Sequence, residues 1–179
     1  MKKYLIISFL IFIILFLFIN ATLALENSYL VDYQELCKEV MNLTKLSEES
    51  FDKEVIQKKV DEMLDTGILI AEIISTRYKE CNLILELYIQ ESEGMKDKSL
   101  EEMKTLYHQG GIIQKKLKTI NPTDDTYREC LEITQLITHP ATVGVLLNLY
   151  IKEHNKDYLN KIEKELEILY KHLKSHEEH

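Results

Sequence analysis

The sequence predicts an all-α protein: a single bundle of five to seven helices after an N-terminal export signal. Three observations carry this. From residue 28 onward, apolar residues recur at spacings of three and four, the period of a helix with one face in a core. Two prolines, five glycines and no tryptophan suit helices joined by short connections better than a turn-rich β-sandwich. Two segments, Gly67 to Ile74 and Val143 to Ile151, are apolar nearly all round, as helices in the middle of a domain are.

The start of the chain reads as an address. Lys2 and Lys3 precede an apolar run from Tyr4 to Ile19 that only Ser8 interrupts, and small residues follow up to Ala24. That order is a basic region, an apolar region and a cleavage site. Residues 1–24 are expected to be a signal peptide cleaved after Ala24, and 25–179 a single all-helical domain ending in a polar tail, 175–179. The alternative is an uncleaved anchor, because residues 4–25 as a helix would span about 33 Å. The expected location is periplasmic or secreted, or else the outer face of the cytoplasmic membrane, with membrane contact only if the anchor stays.

The chain carries a net charge of −8, and losing Lys2 and Lys3 with the signal takes it to −10. An acidic surface without a basic cluster argues against nucleic acid as a partner. The expected partner is a protein or a small ligand.

The elements follow in order. Leu30, Tyr33, Leu36, Cys37, Val40 and Leu43 form one stripe of a first helix over 28–46. A second helical region runs from near Ser50 toward Ser92. As one straight helix it would be about 64 Å long, too long for a compact domain of this size. A break between Tyr78 and Asn82 is favoured over one at Gly67. The next helix closes at Gly94. Ser99-Leu100-Glu101-Glu102 is a capping box, the clearest helix start in the chain. Gly110-Gly111 stops that helix, and Ile112 to Leu117 adds a turn or two before Asn121-Pro122. The following helix carries Tyr127, Cys130, Leu131, Ile133 and Ile137. His139-Pro140 is read as a break or a kink in the path, with Pro140 as the first residue of a helix from Ala141 to His154. The stretch from Val143 to Ile151 is expected to pack on Gly67 to Ile74. A last helix over 157–172 presents Tyr158, Ile162, Leu166 and Leu169 on one face.

Cys37, Cys81 and Cys130 all follow the signal, so in an oxidising compartment two pair and one remains. Cys81–Cys130 is preferred, because both lie near expected helix ends. Cys37 sits on an apolar stripe and is the odd cysteine.

Motifs for catalysis or cofactors are missing. No Glu has a His three residues later, as a ferritin-like site needs, and no Cys-x-x-Cys-His, His-Glu-x-x-His or Gly-x-Ser-x-Gly occurs. No cofactor is indicated by motif. A haem held by Met41, Met63 or Met103 with His172 would leave no local signature, but their places along the helices do not suit it. Two histidines stand out instead. His108 falls at a helix end beside Gly110-Gly111, which would leave room for a ligand. His139 falls at the junction before Pro140, and Glu132 lies seven residues earlier on the same face. His108, His139 and Glu132 together could take a divalent metal or a polar small ligand. The plainer alternative is that both imidazoles cap helix ends. His154, His172, His176 and His179 read as surface or tail residues, and the tyrosines as core-edge packing. The function expected is that of an exported, non-enzymatic helical binding or interaction protein. The alternative is a metal- or small-ligand-binding bundle, or small enzyme, centred on His108 and His139.

Overall fold

The computed structural model describes residues 28–45, 51–117 and 125–175. The signal, the Asn121-Pro122 break, His176 and His179 fall outside these. Among the described residues the chain is an all-α bundle of seven helical segments with no strand. We label them α1 (28–44), α2 (Lys53–Arg77), α3 (Asn82–Met95), α4 (Leu100–Glu102), α5 (Gly111–Lys116), α6 (Asp125–Glu153) and α7 (Asp157–Ser175). α4 runs directly into a π-helical turn, Met103–His108.

Local chemistry sets most of the ends. The Asp52 carboxylate accepts from the backbone N–H groups of Glu54 and Val55, capping α2. The long apolar region breaks after Arg77 and resumes at Asn82, where the length argument places it. The Ser99–Glu102 capping box is formed in both directions. Gly110 has φ 69° and ends the π turn in the left-handed conformation. Cys81 and Cys130 form a disulfide between the start of α3 and α6, and Cys37 is free and buried.

α6 is the central element, packed by α2, α3 and α7. Every residue from Thr134 to Leu147 is buried, which only the middle of a bundle permits. Of the break or kink expected at Pro140, the break and the separate helix from Ala141 are overturned: α6 continues through the proline. Proline supplies no N–H, so the carbonyl four residues back, that of Leu136, loses its helical donor. The Tyr33 hydroxyl of α1 donates to that carbonyl at 2.6 Å. α2 comes close at the same point, since a Cβ on Gly67 would stand 2.2 Å from the Leu136 oxygen. The proline is thus repaired from another helix.

The register of α2 on α6 also differs from expectation. Gly67 meets Leu136, whereas Gly144 meets Val60 and the Phe51 and Tyr150 rings are 5.0 Å apart. The helices run antiparallel. The stretch from Val143 therefore lies beside the first half of α2, and Gly67 to Ile74 lies beside the earlier portion of α6.

Candidate metal centre

Three elements converge on one cleft: the end of the π turn, the middle of α6 and the second half of α7. The π turn is wider than an α turn and directs successive side chains differently; such turns recur at functional sites. Its last two residues divide the work. Tyr107 turns inward and is fully buried, with its hydroxyl donating to Glu91 at 3.2 Å. The Tyr88 hydroxyl donates to the Tyr107 carbonyl at 2.7 Å, and Lys116 pairs with Glu91 from the far side. His108 turns the other way, into the cleft. The room expected at Gly110-Gly111 is already taken, since a Cβ on Gly110 would meet the Tyr127 hydroxyl at 2.4 Å.

His108 and His139 come together with ring centroids 4.9 Å apart. The carboxylate between them is that of Glu165 on α7. Glu165 Oε2 lies 2.7 Å from His139 Nδ1 and 3.8 Å from His108 Nε2. One donor atom from each of the three residues falls within 4.8 Å of the others. Glu132 stands at the exposed mouth of the same cleft, on the His139 face as its spacing requires.

The hydrogen bonds assign the protons. Gln135 Nε2 donates to the Leu131 carbonyl at 3.3 Å, which leaves Oε1 facing His108 Nδ1 at 3.1 Å. His108 Nδ1 therefore carries a hydrogen and donates it to Gln135. In the neutral ring the lone pair is on Nε2, which faces Thr142 Oγ1 at 2.9 Å and the cleft. The single Thr142 hydrogen has two acceptors within reach, His108 Nε2 and the Thr138 carbonyl, the latter also at 2.9 Å. His139 is almost wholly buried, and its Nδ1–H donates to Glu165.

Electrostatics keep this arrangement. Burial, and then the neighbouring His139, push the His108 imidazole below its ordinary pKa, with Glu165 and Gln135 opposing. Burial is the largest single influence on Glu165 and would raise it. The hydrogen bond and charge of His139, with the charge of His108, outweigh burial and hold the carboxyl below its ordinary pKa. At neutral pH the cleft thus holds a lone pair on His108 Nε2 and an ionised carboxylate.

The cavity over these groups is about 390 Å³, with Leu131, Ile168, Arg128 and His172 among its walls. His172, read from the sequence as a surface residue, lines the site, its ring centroid 6.1 Å from that of His139. His154 is exposed at the α6–α7 turn with φ 51°. Glu165 and His172 are the residues that sequence reasoning passed over. A signal for both exists, because Glu165 and His172 are seven apart on α7, just as Glu132 and His139 are on α6.

The donor set is two imidazoles and a carboxylate, the chemistry of zinc and other first-row divalent ions. Two imidazoles sharing a tetrahedral ion at about 2.0–2.1 Å stand about 5 Å apart between ring centres, which is the separation of His108 and His139. Acyl transfer through Thr142 and His108 is a poorer fit. The Thr142 hydroxyl is buried and does not line the cavity wall. No protein-family model, no curated protein and no solved structure matches this chain.

Proposed function

We propose that this protein binds a divalent transition-metal ion through His108 Nε2, His139 Nδ1 and the Glu165 carboxylate. One observation carries the reading: three donors of the right types, from three separate segments, converge within 4.8 Å under an open cavity. Gln135 supports it from outside. By accepting the Nδ1 hydrogen it fixes the His108 tautomer and orients the ring, the role that second-layer partners play at metal sites. Metal entry at Nδ1 would move the hydrogen that His139 shares with Glu165 to Nε2 of the same ring, and protons compete with the ion for all three donors, so binding weakens in acid.

The disulfide fits an oxidising compartment outside the cytosol. Together with the apolar start of the chain, it supports work in a periplasm or in the medium. A role through helix surfaces alone has no comparable support. Among the described residues the exposed large apolar side chains come from several elements, Val31 on α1, Val55 and Leu69 on α2, Tyr78 after it, Leu83 on α3 and Ile168 on α7.

The test is calorimetric titration of chelator-stripped protein, purified without a histidine tag, with Zn²⁺ and with Co²⁺. Stoichiometric binding is expected, weakened roughly 100-fold or more in His108→Ala, His139→Ala or Glu165→Gln, and about 10- to 100-fold in Gln135→Ala. Wild-type protein that takes up neither ion, or variants that bind like wild type, would sink the proposal.

A further inference from the structure

We infer that His172 is the fourth ligand, which closes the centre into a four-donor site that carries or is braced by its metal rather than one that exposes it to a substrate. The inference rests on the metal reading above. His108, His139 and Glu165 supply three donors, and a tetrahedral structural site needs a fourth from the protein, whereas a catalytic site leaves that position to water. His172 is the imidazole placed to fill it. Seven residues after Glu165 on α7, it lies on the same face about 20° round the helix and lines the same cavity.

Its distance is the decisive quantity. The His139 and His172 rings are tilted by 32° with centroids 6.1 Å apart. Two imidazoles on one tetrahedral ion stand about 5 Å apart, so His172 has to close on the three donors before it ligates. A half-buried side chain beside an open cavity makes that move by exchanging its present contact for the ion. His108, His139 and Glu165 already present donor atoms within 4.8 Å of one another. The ion therefore meets a three-donor cradle first and gains His172 second.

Glu132 and Arg128, both exposed at the mouth, stand further out than the four donors. Their opposite charges leave the entrance without a strong field of either sign.

Co²⁺ reports the coordination number through its visible spectrum. The Co²⁺-loaded wild type is expected to show the intense absorption of a four-coordinate ion and no change when imidazole is added. His172→Ala is expected to bind Co²⁺ about 10- to 100-fold more weakly with a changed spectrum, and added imidazole to restore the wild-type spectrum. Two-bond ¹H–¹⁵N spectra of the Zn²⁺-loaded wild type check the assignment without a mutation, by showing a metal-bound nitrogen in His172. His172→Ala with wild-type affinity and spectrum, or a wild-type spectrum that responds to imidazole, overturns the inference and leaves the three-donor centre standing. A wild type that takes no Co²⁺ overturns both.

Discussion

Two polar regions flank the middle of α6, and they are satisfied in different ways. On the side facing α1 and α2, buried polar groups end on main-chain carbonyls. The Tyr33 hydroxyl donates to Leu136 and Thr138 donates to Thr134, and the Cys37 thiol of α1 likewise ends on a carbonyl, that of Leu166 on α7, at 3.5 Å. On the side facing the π turn and α7, the imidazoles end on side chains, His108 on Gln135 and Thr142 and His139 on Glu165, while Gln135 and Thr142 are themselves anchored to the Leu131 and Thr138 carbonyls. A carbonyl is fixed by its helix and can only accept, so the first region has one arrangement and no capacity to spare. Imidazole and carboxylate can exchange a proton for a metal ion, so the second region has at least two. Rigidity on one face of α6 is what holds the donors of the other face in place.

The disulfide tests how far that rigidity depends on the covalent link at the cleft's edge. Cys81 and Cys130 are 49 residues apart, and closing such a loop stabilises a fold by about 4 kcal/mol in the chain-entropy model. Replacing both with Ser should lower the unfolding free energy by about that amount in urea titrations. Metal affinity at a temperature where the variant is folded should stay within a fewfold of wild type, because neither cysteine touches the donors. A collapse of affinity in the folded variant would show that the link, and not the α6 seam, positions the cleft.

The seam itself is tested by Gly67 and Tyr33. A Cβ at Gly67 overlaps the Leu136 carbonyl, whose position is fixed in α6, so Gly67→Ala must push α2 away from α6. A loss of about 3 kcal/mol is expected, the upper range for overpacking. Tyr33→Phe leaves the Leu136 carbonyl buried without a donor and should cost about 1–3 kcal/mol. Repair of the proline by Tyr33 makes a sharper demand. Pro140→Ala returns an N–H to the Leu136 carbonyl, so Tyr33→Phe should cost less in that background, with a coupling of about 1 kcal/mol. Additive effects would mean that Tyr33 contributes only packing.

Tyr33 and Pro140 also mark the boundary of what the sequence makes legible. The stripes, the Ser99–Glu102 box, the break after Arg77 and the preferred cysteine pair all follow from local rules, because residues within a few positions decide them. Pro140 does not. Its ring reads locally as a helix start, and only a tyrosine 107 positions earlier makes a continuous helix tolerable. The same division runs through the cleft. His108 and His139 stand out because each lies beside a glycine pair or a proline. Glu165 is one of several acids on a charged helix, and nothing local separates it from Glu163 or Glu167. Its place opposite His139 comes from how α7 packs on α6. The repeated seven-residue Glu–His spacing is the one trace of that packing, and it needs both helices to be read together.

The smallest expected effect concerns Cys37, whose thiol ends on a main-chain carbonyl and should enter no exchange. Burial pushes its thiol up to about 12, slightly offset by Lys38. An unfolded thiol ionises near 8.5. The folded state therefore holds its proton over a range in which the unfolded state gives it up. The stabilisation is complete below about pH 8.5 and is lost as the pH rises toward the folded value. Between pH 7 and 9.5 the unfolding free energy should fall by roughly 1 kcal/mol, and Cys37→Ala should remove that slope. Alkylation of wild type at pH 8 should proceed no faster than global unfolding. Rapid labelling of the native protein would place a reactive thiolate among the carbonyl-terminated groups, and the contrast between the two regions would fail.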